Sequence, residues 1–260
     1  MKRAVLLVAV LGSLAVAAAR ADVVTGANAD SVGTLQVNST LLKQFGPVDC
    51  PAGDPATTQC FHDVPLRGDV VPGLGEVTFA PYTLFWESFG APCGRVHAQI
   101  PILVAGKGEI DLAIAVNGCW SGDNFPPATV TVSGGSGRYA DATGSGSLEF
   151  HTANITGPLS GNRSVTWTGT LNVAGLTFDT TAPQITGATS KVVKTKSAAG
   201  ARVRYSVRAT DATDGAVPAA CLPKSGSLFH AGRTTVTCSP TDTSGNPATA
   251  RFVITVKRVR

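Results

Sequence analysis

The stretch RVHAQIPILVAGKGEIDLAIAV, residues 95–116, decides the fold. Val96, Ala98, Ile100, Ile102 and Val104 occupy every second position, and Ile110, Leu112, Ile114 and Val116 repeat the pattern. Between the two runs stands Ala105-Gly106-Lys107-Gly108, and Glu109 and Asp111 take the opposite face of the second. Successive side chains of a strand point to opposite faces, so each run predicts a half-buried strand, with the glycine-rich tetrapeptide as the turn between them. Short links of this kind join antiparallel neighbours.

The same alternation continues outward through GEVTFAPYTLFW (75–86), VSGGSGRYADATGSGSLEF (132–150) and SVTWTGTLNV (164–173). Turn-rich breaks at Ser133-Gly134-Gly135-Ser136-Gly137 and Gly157-Pro158 separate the runs. Closing such a meander on itself removes its exposed edges, so an antiparallel β-barrel is expected over residues 33–178. FDTTAPQI (178–185) marks a boundary, because proline suits an extended start or an edge position. Beyond it ARVRYSVRAT, TTVTC and RFVITV alternate again, which predicts a small immunoglobulin-like β-sandwich over residues 179–260. The expected fold class is therefore all-β, a barrel followed by a sandwich.

The first 21 residues have the form of a secretory signal: Lys2 and Arg3, an apolar run, then Ala19-Arg20-Ala21. Residues 22–32 lack sustained periodicity and read as an N-terminal extension. No later stretch offers the roughly 20 apolar residues needed to span a bilayer. The six cysteines, Cys50, Cys60, Cys93, Cys119, Cys221 and Cys238, all follow the signal, which in an exported chain predicts disulfides. None lies in a Cys-x-x-Cys, so zinc and thioredoxin-type chemistry are not supported. The first four allow three pairings, of which Cys50–Cys60 with Cys93–Cys119 is the simplest. Charge is divided along the chain: residues 22–180 hold 6 basic and 14 acidic residues, residues 181–260 hold 12 basic and 3 acidic. A basic C-terminal module suits an anionic partner, its own acidic neighbour, or solvent.

The C-terminal part resembles a HYR (hyalin repeat) module over about residues 179–257. The likeness rests on a tyrosine strand, Ala-Thr-Asp, CLPKSGSLF (221–229), GRTTVTC (232–238) and TDTSGN (241–246). It implies an immunoglobulin-type sandwich used outside the cell for adhesion or spacing. Residues 132–150 are similar to the glycine-rich hairpin of allene oxide cyclase-like and dirigent-like β-barrels, which implies a barrel with a lumen; the catalytic residues of those enzymes have no counterpart here. Phosphate binding by the same glycines would need a helix after them, and the pattern is strand on both sides.

Candidate chemistry is sparse. TDATDG (210–215) and TDTSGN (241–246) are rich in oxygen donors, so Asp211, Asp242 and Asn246, with Asp179 at the boundary and Asp214 beside them, are candidate Ca²⁺ ligands. The competing reading makes the same residues Asx-turns between strands. Glu76, Glu87 and His97 are candidate polar groups of a barrel lumen. Trp86, Trp120 and Trp167 suit either core packing or a sugar platform. Phe229 reads as a core plug and His230 as a lone histidine without a metal or catalytic set. No serine lies in a nucleophile elbow, and no catalytic set emerges.

These readings favour a secreted or cell-surface, non-enzymatic binding or adhesion protein, with an extracellular protein or an anionic glycan as partner and no cofactor beyond Ca²⁺. The alternative is a cyclase-like enzyme or ligand carrier using the barrel lumen. Nucleic acid is not indicated.

Overall fold

A computed structural model describes residues 23–24, 30–50, 59–90, 93–119, 126–157 and 160–260, without side chains at 23–24 and 152–157. The expected signal, Trp120 and the loop inside Cys50–Cys60 lie outside the described residues.

Eight long strands form a closed antiparallel barrel. In chain order these are β2 (Ser31–Val48), β3 (Gln59–Arg67), β6 (Tyr82–Gly90), β7 (Cys93–Val104), β8 (Gly108–Cys119), β9 (Ala128–Gly137), β10 (Thr143–Gly157) and β11 (Ser160–Phe178). Each pairs with the next, and the long β11–β2 ladder, from Gly161↔Phe45 to Phe178↔Ser31, closes the ring. Two short strands, β4 (Asp69–Val71) and β5 (Gly75–Phe79), form a hairpin that continues the sheet along the far end of β7. Closure leaves no free edge on the ring itself, the property that makes a short-turned meander stable against edge pairing.

The period-two residues face inward as expected. Val37, Ile100, Ile110, Leu112, Val130, Leu148 and Leu171 are almost wholly buried and belong to one continuous core. An eight-stranded barrel is just wide enough for its inward side chains to fill. Trp86 and Trp167 are part of that packing, so neither serves as a sugar platform.

One expected break is a strand instead. Ser133–Gly137 continues β9, with a bulge against β8 between Asp111 and Leu112, and the turn falls at residues 138–141. Glycine permits this. A Cβ on Gly135 would collide with the Glu109 carbonyl and lie 2.9 Å from that of Tyr139. The close approach seats the Tyr139 ring, 1 % exposed, in the barrel core.

The C-terminal residues form the sandwich. One sheet contains β17 (Cys221–Leu222), β19 (Gly232–Cys238), β20 (Thr249–Arg258) and β13 (Lys191–Thr195); another contains β12 (Gln184–Thr186), β15 (Arg208–Asp211) and β16 (Gly215–Val217). Strand β14 (Ala201–Arg202) pairs with β18 (Leu228–Phe229). Phe229, Val236, Phe252 and Ile254 fill the core, so Phe229 is the plug its sequence suggests. Residues 203–207 keep their alternating burial without a strand ladder. Ser225 replaces the neighbouring strand there: its Oγ accepts from the Tyr205 N–H at 2.9 Å and donates to the Tyr205 carbonyl at 2.7 Å. Strand β1 (Val23–Val24) pairs with Thr249 and Ala250, adding the N-terminal segment to the sandwich sheet. Disulfides join Cys50–Cys60, Cys93–Cys119 and Cys221–Cys238.

Replacing Gly135 with valine forces β9 away from β8 and frees Tyr139. Overpacking of this kind costs about 1–3 kcal/mol. A urea melt of Gly135→Val should show a clearly lower midpoint; an unchanged midpoint would contradict the close approach.

Candidate functional site at the domain junction

Closure of the barrel brings both ends of its chain to one place. Asp30 precedes β2 and Asp179 follows β11. The Asp30 carboxylate accepts from the Thr181 hydroxyl at 2.6 Å and the Thr180 N–H at 3.4 Å, pinning the connection where the sandwich begins.

Here the sandwich turns its acidic loops toward the boundary. Asp179, Asp211, Asp214 and Asp242 each present a carboxylate oxygen within 4.8 Å of the others. Their orientation follows from local turn chemistry. Asp211 ends β15 and accepts from the N–H groups of Thr213 and Asp214 at 2.7 and 3.1 Å, the hairpin Asx-turn its sequence predicts. The Asp214 carboxylate accepts from the Thr243 N–H at 2.7 Å and from its hydroxyl at 2.7 and 2.8 Å. Asp242 accepts from the N–H groups of Ser244 and Asn246 through one oxygen, at 2.9 and 2.8 Å, and from the Asn246 side chain through the other at 2.9 Å. Asn246 also donates to the Asp179 carbonyl at 2.9 Å, tying loop 241–246 to the boundary. The turn reading and the clustering are therefore both true of the same residues. Asp214 stands with Asp179, Asp211 and Asp242, while Asn246 holds them together through its amide.

The cluster carries excess negative charge, offset in part by the Lys107 ammonium, which acts on Asp179, Asp214 and Asp242 from beyond ion-pair distance. Among the described residues no cationic side chain forms an ion pair with any of the four carboxylates. Two like charges about 4 Å apart repel by about 4 kcal/mol at an effective dielectric of about 20. Burial, then the neighbouring Asp211, Asp242 and Asp30 carboxylates, raise the pKa of Asp179, against the opposing Thr181 N–H. One oxygen of Asp179 accepts from that N–H at 3.1 Å; the other, Oδ2, is buried and has no hydrogen-bond partner among the described residues.

The barrel grips the same loop. The Gly73 N–H donates to the Ser244 carbonyl at 2.8 Å, and the Lys107 ammonium donates to the carbonyls of Leu74 and Thr243 at 2.7 and 3.3 Å. Gly75 allows this approach, since a Cβ there would lie 2.5 Å from the Thr243 carbonyl. Lys107 comes from the β7–β8 turn read first in the sequence. Burial and the nearby Arg138 lower its pKa, while Asp214, Asp242 and Asp179 act in the opposite sense.

The expected lumen groups are elsewhere. Glu76 is exposed on β5, Glu87 pairs with Arg95 at 2.8 Å, and His97 stacks on Phe85 with ring centroids 5.0 Å apart. All three stand on the outer face, because they alternate with inward Val77, Trp86, Val96 and Ala98. Among the described residues, Ser39, Lys43, Asp63, Tyr82 and Arg163 are polar groups that face the lumen. Lys43 is fully buried; its ammonium pairs with Asp63, donates to the Tyr82 hydroxyl at 2.8 Å and lies 5.1 Å from the Phe150 ring centre. Arg163, directly across from Lys43 on β11, covers the Phe45 ring at 4.3 Å. Burial outweighs Asp63 and lowers the Lys43 pKa to about 8. The signal for Lys43 was present: it shares the inward parity of Leu35, Val37 and Leu41.

The comparisons with known proteins bear on the sandwich alone. Residues 178–256 match the family model of the HYR domain, an extracellular, adhesion-type module. Among curated proteins none matches the chain. No helix of the described residues is long and apolar enough to cross a membrane.

Two outcomes follow for Lys43. Removing one partner of a buried pair strands the other and costs about 3–5 kcal/mol, so Lys43→Met should be strongly destabilising and Lys43→Met/Asp63→Leu much less so. A lysine pKa lowered on folding means that the unfolded chain binds more protons from about pH 8 upward. Stability of the parent should therefore rise with pH between about 8 and 10. Above that, the raised pKa of buried Tyr82 acts in the opposite direction. Thermal melts across this range in the parent and the double variant check both; Lys107, also lowered on folding, leaves a residual rise, and a rise undiminished in the double variant would contradict the assignment to Lys43.

Proposed function

We propose that this is an extracellular, non-enzymatic binding protein that holds an anionic partner on one sheet face of its HYR module, with the barrel as a rigid platform. One observation carries the reading. Lys194 and Lys257 are direct partners across β13 and β20; Arg233, paired with Thr255, and Arg251, paired with Thr237, share their face. All four side chains are exposed. Like charges directly opposite on a sheet are destabilising, and a bound anion would relieve them. A sulfated or uronic-acid glycan, with charges repeated along an extended chain, fits such a row.

The barrel supports a platform role through its packed apolar interior. A second reading, ligand carriage or cyclase-type chemistry in the lumen, is favoured by the buried Lys43–Asp63–Tyr82 group, where Asp63 Oδ1 has no hydrogen-bond partner among the described residues. It predicts that a small apolar acid raises the melting temperature of the parent and leaves that of Lys43→Met/Asp63→Leu unchanged; no shift in the parent would exclude it.

Exposed charges are screened beyond about 8 Å at physiological ionic strength. The full chain should therefore be retained on immobilised heparin at low salt and released as salt rises. Lys194→Glu/Lys257→Glu should lose most of that retention with its melting temperature little changed. Salt-independent retention, or retention unaffected by the two reversals, would contradict the basic-face reading.

A further inference from the structure

The acidic cluster at the boundary has a feature that turn-making does not explain. Asx-turns use one carboxylate oxygen each, and the buried Asp179 carboxylate, 9 % exposed, keeps a second oxygen that no donor among the described residues reaches. A desolvated anionic oxygen without a donor is costly unless a cation meets it. We propose that Asp179, Asp211, Asp214 and Asp242 bind a divalent cation of the calcium class, and that this ion fastens the sandwich to the barrel.

Three points define the ion. Every candidate ligand atom is a carboxylate oxygen, the donor of hard cations, with no imidazole or thiolate in the set. The oxygens all lie within 4.8 Å of one another, close enough to surround Ca²⁺, which bonds oxygen at about 2.3–2.6 Å. Mg²⁺ usually keeps several of its waters and takes only one or two carboxylates, so a set of four suits it less. Four carboxylates also suit a dication better than a single lysine does. Lys107, the cation supplied by the barrel, is held by the Leu74 and Thr243 carbonyls.

The mechanical consequence follows from the loop that carries Asp242. The same loop takes the Gly73 N–H and the Lys107 ammonium from the barrel, and Asp179 is the first residue after the last barrel strand. An ion held by Asp179 and Asp242 therefore ties the covalent connection to the docking loop and stiffens the junction. This does not rest on the basic face of the sandwich, whose glycan test is separate.

The test uses the full chain after treatment with chelator, with calcium chloride alone as the probe. Calorimetric titration should give one site, and a hundredfold excess over Kd should raise Tm by about 5–10 °C. Asp211→Asn and Asp179→Asn keep the oxygen that accepts the turn N–H groups and remove a negative charge. Both should melt at or above the parent in chelator and lose most of the calcium response. An equal rise with Mg²⁺ would overturn the calcium-class assignment. No rise in the parent, or an undiminished rise in both variants, would overturn the site itself.

Discussion

The β2–β11 ladder is the contact on which the rest of the molecule depends. It joins the first and last strands of the barrel and is the barrel pairing with the greatest separation along the chain. Without it the remaining strands would be an open sheet with two edges and a half-exposed apolar face. With it, the inward residues of eight strands share one core. The same ladder sets the junction, because its Ser31↔Phe178 end places Asp30 beside Thr180 and Thr181 and sends Asp179 out against the sandwich.

Charge is buried in two ways, with different consequences. In the lumen, Lys43 and Asp63 pair within an apolar barrel, so the cost of desolvation is partly offset by attraction and by the Tyr82 hydroxyl. At the junction, four acidic groups converge without a paired cation among the described residues, and hydrogen bonds from the loop backbone orient them. The first arrangement satisfies most of its own members. The second holds negative charge at the place where barrel and sandwich meet, and the barrel reaches toward it with Lys107.

Much of this was legible from alternation. The strands around Lys107, the sandwich after FDTTAPQI and the core position of Phe229 all follow from period-two burial and turn residues. The junction acids were visible as oxygen-rich loops, because TDATDG and TDTSGN carry their own turn chemistry. Their convergence and the grip of Lys107 were not, since these depend on how two domains dock. Glu76, Glu87 and His97 were expected inside the barrel, yet each sits on the polar parity beside an inward residue. Lys43 lies on the apolar parity of β2, yet a lysine among leucines resembles a surface residue, and its partner Asp63 comes from another strand. The continuation of β9 through Ser133–Gly137 is hidden in the sequence for a different reason. Glycines permit a turn and a close strand approach equally, and only the register against β8 distinguishes them.

The resulting picture is a packed barrel that presents an extracellular-type HYR module through a docked junction, with the basic side of the module's sheet turned to solvent. Its most direct test is to map amide shift changes on the isotopically labelled full chain as a sulfated oligosaccharide is added. The account predicts changes concentrated at Lys194, Arg233, Arg251 and Lys257, with the barrel strands unaffected. Changes centred on Lys43, Asp63 and Tyr82, with the sandwich face silent, would contradict it.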